Sequence, residues 1–193
     1  MDYKYFFSSI VRIIFTPGKM WESVCNENRS VKFLRNSILF PFLIFIIISG
    51  FLGSLLFSNV TLTPVYSVFA AIRYFILFLM LPFASAAVLG EITKPLDLGK
   101  DFLISFKLTI FSLIPFFICQ VASLFFESLI FVNILSIYGL YIFWTGAERM
   151  LNPPDYKKTP LLIAYFIVVV AIYVAGDVVL KSVTDSIFYS FFA

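Results

Sequence analysis

The feature that most constrains this chain is a series of apolar runs, each long enough to cross a bilayer. They extend from about Asn36 to Ser58, Pro64 to Leu89, Phe102 to about Phe126, Leu129 to Gly146, and Leu161 to about Leu180. A hydrocarbon core about 30 Å thick takes about 20 helical residues to cross, at about 1.5 Å each. The runs are continuous, which excludes a transmembrane β-barrel, whose strands alternate between apolar and polar residues. The expected fold is therefore all-α: a polytopic membrane protein with five transmembrane helices. Composition points the same way. Of 193 residues, 61% are hydrophobic and 13% charged, about half the charged share of a soluble domain. One water-soluble core of this size has no room for so much apolar surface.

One or two short amphipathic helices are expected ahead of the spans, in a cytoplasmic, interfacial segment 1–35 that precedes the five-helix bundle of 36–193. Tyr3, Phe6, Phe7, Ile10 and Ile14 share one side of a helical period, and Lys4, Ser8 and Arg12 the other. Such a helix suits the headgroup region. Arg12 interrupts the apolar run and no small-residue cleavage site follows, so the stretch does not read as a signal peptide. Thr16-Pro17 predicts a second helix through Met20, Trp21 and Val24, with the Thr oxygen as cap and Pro at the first helical position. The same pair at Thr63-Pro64 and Thr159-Pro160 predicts the starts of two spans. Pro115, central in the third span, predicts a kink, because it removes a backbone hydrogen bond.

Orientation follows from Lys and Arg. Six precede the first span: Lys4, Arg12, Lys19, Arg29, Lys32 and Arg35. Lys94, Lys100 and Lys107 surround the connection of spans two and three, and Arg149, Lys157 and Lys158 that of spans four and five. The two remaining connections carry none. The positive-inside rule then puts the N-terminus in the cytoplasm and the C-terminus outside. The net charge of +3 sits where topology requires it, so nucleic acid is not an expected partner. Membrane lipid is. Each basic side chain near an anionic surface contributes about 1 kcal/mol of attraction.

Much chemistry is absent from the sequence. Without His there is no imidazole metal site, no Ser-His-Asp triad and no Cys-His pair. Cys25 and Cys119 form no CxxC motif. No phosphate-cradling loop or nucleotide fingerprint occurs. The expectation is a protein that is not an enzyme and needs no cofactor or metal. The candidate sites are polar groups at membrane depth. Arg73 is expected in a buried ion pair, with Asp177 the favoured carboxylate and Glu127 the competitor. Lys107, Glu148, Arg149, Asp97 and Asp101 form a candidate cytoplasmic polar cluster, with plain interface anchoring as the alternative. Tyr138, Gly139, Tyr141 and Gly146 form a candidate helix-packing face, since small residues let helices approach closely.

The stretch FTPGKMWESVCNEN from Phe15, followed by FLRNSILFPFLIFIIISGFLG, resembles the opening of bacterial Yip-domain proteins. KPLDLGKDFLISFKLTIFSLIPFF resembles that family's Gly-Lys loop leading into a helix with an interior Pro. YGLYIFWTGAERML resembles its Tyr-x-x-Tyr helix ending in Gly. The resemblance covers most of the chain. It implies a five-span protein of a bacterial plasma membrane. Eukaryotic members are linked to Rab-type GTPases and membrane trafficking and have a longer cytosolic N-terminal region; only about 35 residues stand there in this chain. The expected role is that of a non-catalytic organiser or scaffold for other membrane proteins or lipids, as a homo-oligomer or with other chains. The alternative is a small channel or transporter with a polar path near Arg73.

Overall fold

All regular secondary structure in the computed structural model, which describes residues 2–27, 29–57, 63–96, 98–99 and 101–192, is helical. Two short helices, α1 (Tyr3–Phe15) and α2 (Pro17–Asn26), come first. A brief α3 (Val31–Leu34) runs through a π-helical turn, Arg35–Leu39, into α4 (Phe40–Phe57). Pro41 lies just past that wide turn, and its missing N–H removes a bond to the carbonyl four residues back, so the ladder shifts by one residue. Next come α5 (Thr63–Thr93), α6 (Phe102–Ser112) and α7 (Ile114–Phe125). A stretch of 3-10 turns, Glu127–Ile137, leads into α8 (Tyr138–Met150), and α9 (Asp155–Phe192) completes the chain.

Four rods among these residues are long and apolar enough to cross a membrane: Val31–Phe57, Pro64–Thr93, Ser128–Met150 and Asp155–Phe191. The pair α6 and α7 makes a fifth, bent by 44°. The bend falls where Pro115 was expected to place it. The bent pair is a broken span and not a re-entrant loop. Lys107 on α6 reaches the carbonyls of Val24 and Glu27 at one end of the bundle, while the Leu124 carbonyl on α7 abuts Gly53 near the other end of α4.

Helix α5 is the central element, packed against α4, α6 and α9. Its Phe78 is fully buried among Phe116, Phe117 and Tyr173. Lipid is as apolar as these side chains, so close packing rather than water exclusion holds such helices together, and small residues mark the contacts. A Cβ on Gly50 would meet the Tyr74 ring at 2.5 Å, and one on Gly176 would meet Leu77 at 2.8 Å. Helix α9 leans mainly on α5, and most of its length presents apolar side chains outward.

Helices α1 and α2 form a hairpin folded back along the bundle. Phe6 packs edge-on against Phe42 of α4, at 4.9 Å between centroids. The Tyr138 hydroxyl donates to the Ile14 carbonyl at 2.8 Å. Trp21 is fully buried, its indole N–H donating to the Ile142 carbonyl at 3.0 Å and its ring against Phe111. The apolar face read from periodicity is therefore divided. Phe6 and Ile13 face the bundle, while Tyr3, Phe7, Val11 and Phe15 face outward.

Local expectations change in three places. Thr16 does stand at the start of α2, but its hydroxyl donates back to the Arg12 carbonyl at 3.2 Å, closing α1 instead of capping α2. Helix α9 begins at Asp155, so Pro160 lies inside its first turns and does not open it. The fourth span is regular α-helix only from Tyr138, its first half being 3-10.

Candidate functional site

At the end of the bundle away from α2, a cavity of about 730 Å³ opens between α4, α5, α7, the 3-10 segment and α9. Its wall is half polar: Ser54, Tyr66, Arg73, Tyr74, Gln120, Ser123, Asn133, Tyr173 and Lys181 face it, with Gly50 and Gly53 along α4. Neither glycine has a side chain to fill the space. Gly53 is required where it stands, because a Cβ there would overlap the Leu124 carbonyl oxygen.

Arg73 is the central group. It lies about 15 Å along the axis from Thr63, at about 1.5 Å per residue, and is only 9% exposed. One guanidinium nitrogen, Nη2, donates to the Tyr74 hydroxyl at 2.7 Å, and the cation sits 4.6 Å from that ring's centroid. Its buried Nε has no partner. The expected pair with Asp177 does not form: among the described residues no carboxylate lies within 4 Å of Arg73. Asp177 and Asp185 instead stand one turn to either side of Lys181 on α9, and Asp185 accepts from the Tyr66 hydroxyl at 3.2 Å. The side chain of Glu127 lies outside the described residues.

Other polar groups of the wall hold one another. The Gln120 amide donates to the Asn133 carbonyl oxygen at 3.2 Å, and the Ser67 hydroxyl to that of Ser54 at 3.2 Å. This leaves Arg73 as a buried charge of the cavity without an ion-pair partner among the described residues. A buried cation without a counter-ion is costly unless water or an anion reaches it, and this cavity has room for water.

The expected cytoplasmic cluster is not one cluster. Lys107 is buried and donates to the carbonyls of Val24 and Glu27, at 3.1 and 2.9 Å. It thus satisfies the last carbonyls of α2, where a cation also suits the helix dipole. Arg149 pairs with Glu22 at 3.1 Å, and Glu148 with Lys158 at 3.0 Å. Asp101 caps α6, accepting from the N–H groups of Leu103 and Ile104. Asp97 lies outside the described residues. Lys107, Arg149 and Glu148 each engage a neighbouring helix, which makes them fasteners between elements, while Asp101 serves its own helix. The two ion pairs are half open to water and contribute little stability individually.

The expected packing face divides by residue. Gly139 lies against the Ser112 carbonyl at the break between α6 and α7, and Gly146 against the Trp21 ring. Tyr138 hydrogen-bonds α1, while Tyr141 is exposed.

A second cleft, of about 200 Å³, lies at that break between α7, α8 and α9. It is mostly apolar, with Leu113, Phe116, Leu140, Val169 and Val170 on its walls. Three of its lining residues, Ser112, Ser136 and Tyr165, carry buried hydroxyls without a hydrogen-bond partner of good geometry. Sequence reading missed this cleft, although Pro115 marked the break that makes it. No family model, curated protein or solved structure matches the chain.

Proposed function

We propose that this chain is a non-catalytic, Yip-type protein of a bacterial plasma membrane, and that its working part is the Arg73 cavity. The cavity receives an anionic solute from the outer side, with the N-terminus cytoplasmic. One observation carries the reading: a nine-tenths buried arginine lines a roomy, half-polar cavity, with its Nε unpaired and, among the described residues, no carboxylate within 4 Å. The basic side chains concentrated at the opposite end support the orientation. Beneath the cavity Phe78, Phe117, Phe111 and Trp21 are all buried in close packing, so this geometry supports a one-sided receptacle rather than an open pore. The test is reconstitution into proteoliposomes, with binding and uptake measured for a panel of labelled inorganic and organic anions. Saturable binding or uptake that is lost in Arg73→Gln is the expected result. If no anion of the panel binds or moves, the cavity reading fails.

The second reading is a scaffold for membrane proteins or a homo-oligomer. It is favoured by α9, whose Ile163, Phe166, Ile167, Val174 and Val178 point away from the bundle along a helix held mainly by α5.

A further inference from the structure

Asn133 and Tyr173 line both cavities. They form a shared wall, with the half-polar chamber and Arg73 on one side and the apolar cleft at the broken helix on the other. On α9 the wall continues from Lys181 through Tyr173 to Tyr165, the last two being about 12 Å apart along the axis at about 1.5 Å per residue. The cleft opens sideways between α8 and α9, where Ile137, Phe166 and Val170 at its rim are exposed. In a bilayer that opening faces lipid chains.

From this arrangement we infer that the ligand is an amphiphile with one anionic headgroup and a single long apolar chain. The inference rests on the Arg73 cavity being a binding site and names what binds there. The headgroup, a phosphate or carboxylate, sits against Arg73, which lines the chamber and whose guanidinium fork matches two oxygens of such a group. Lys181 lines the same chamber and, although flanked by Asp177 and Asp185, adds a donor near its mouth. The chain passes Asn133 and Tyr173 and lies in the cleft against Phe116, Leu140 and Val169, its far end leaving between α8 and α9. A free small anion would use only the first chamber, and a neutral lipid only the second. A two-chained lipid would have to place its second chain outside the slot. A single-chained anion satisfies the unpaired arginine and fills the apolar cleft together, with no second chain left outside.

The probe is tritiated dodecyl phosphate, bound to the protein in phosphatidylcholine nanodiscs with binding to empty nanodiscs subtracted. Saturable binding is expected, displaced by unlabelled dodecyl phosphate but not by equal concentrations of inorganic phosphate or dodecanol. Arg73→Gln should weaken it at least tenfold. Val169→Trp, which fills the cleft far from the headgroup, should also weaken it at least tenfold, while Val169→Ala stays within threefold of the parent. Thermal melting of each variant within a few degrees of the parent secures the comparison, and Leu140→Phe replaces Val169→Trp if that variant misfolds. If inorganic phosphate displaces the probe equally well, or if Val169→Trp and Leu140→Phe both bind like the parent, the amphiphile inference is overturned while the Arg73 cavity stands as an anion site. If neither dodecyl phosphate nor phosphate binds, or Arg73→Gln is without effect, the cavity reading falls with it.

Discussion

Replacing Gly53 by Ala should destabilise the protein although Ala is the better helix former. Gly53 lies within α4, and the Cβ added there would overlap the Leu124 carbonyl oxygen of α7. A flexible side-chain tip could swing away, but a backbone carbonyl already bonded in its own helix has no such freedom. The two helices must separate, and a gap of about 0.5–1 Å forfeits a quarter to a half of each dispersion contact it opens. Overpacking of this kind costs about 1–3 kcal/mol, and a backbone obstacle places Gly53→Ala toward the upper end. Against it stands a helix-propensity gain of about 0.8–1 kcal/mol. The net expectation is a loss of about 1–2 kcal/mol, or about 2–8 °C in melting temperature for a chain of this size. Gly18 is the control. It lies in α2, where an added Cβ meets nothing within 4 Å, so Gly18→Ala keeps only the favourable term. It should melt level with the parent or up to a few degrees higher. Both variants are compared in one maltoside detergent by circular dichroism at 222 nm during heating, a wavelength chosen because about every helical residue reports there. Gly53→Ala melting at or above the parent would refute the close α4–α7 contact.

The N-terminal hairpin should loosen at high pH. Burial pushes the Tyr5 hydroxyl up to about 12, with the Glu27 carboxylate adding to the shift. A folded pKa raised above the ordinary 10.0 gives stability that is complete below pH 10 and lost as pH rises toward 12. In a Trp144→Phe background, Trp21 emission should therefore shift to the red across that window, and less so with Tyr5→Phe; identical titrations would exclude Tyr5 as the cause. Topology is tested at the native thiol: Cys25 is exposed on α2 and Cys119 is buried. In a Cys119→Ser background an impermeant maleimide should label Cys25 only from the cytoplasmic side, and a cysteine replacing exposed Ser182 only from outside. Labelling of Cys25 in intact cells would overturn the orientation.

How much of this was legible in the sequence depended on whether the cause was local. Long apolar runs must be helices in lipid, because every backbone N–H and C=O needs a partner within its own segment. That fixed the all-α class and the approximate course of the spans. Pro115 located the bend between α6 and α7 for an equally local reason, a hydrogen bond that cannot form. Arg73 stood out because a cation at membrane depth is anomalous on any path of the chain. Its surroundings were not legible. Asp177 lies at a suitable distance along α9, but whether it meets Arg73 depends on how α9 is rotated against α5, and rotation is set by side-chain packing over the whole interface. The same holds for Lys107. Its charge suggested an inner cluster, yet it closes the end of α2, a helix more than 80 residues earlier in the sequence. Period alone put Tyr3, Phe6 and Phe7 on one face of α1, because a period records which residues share a side but not where the neighbours will stand. Docking of the hairpin on α4 and α8 buried Phe6 and left Tyr3 and Phe7 outside. The sequence by itself determined which segments are helical and which residues are out of place in lipid. Tertiary structure alone decided which of those residues meet, because in a membrane the contacts between helices come from shape and hydrogen bonding, which no single segment contains.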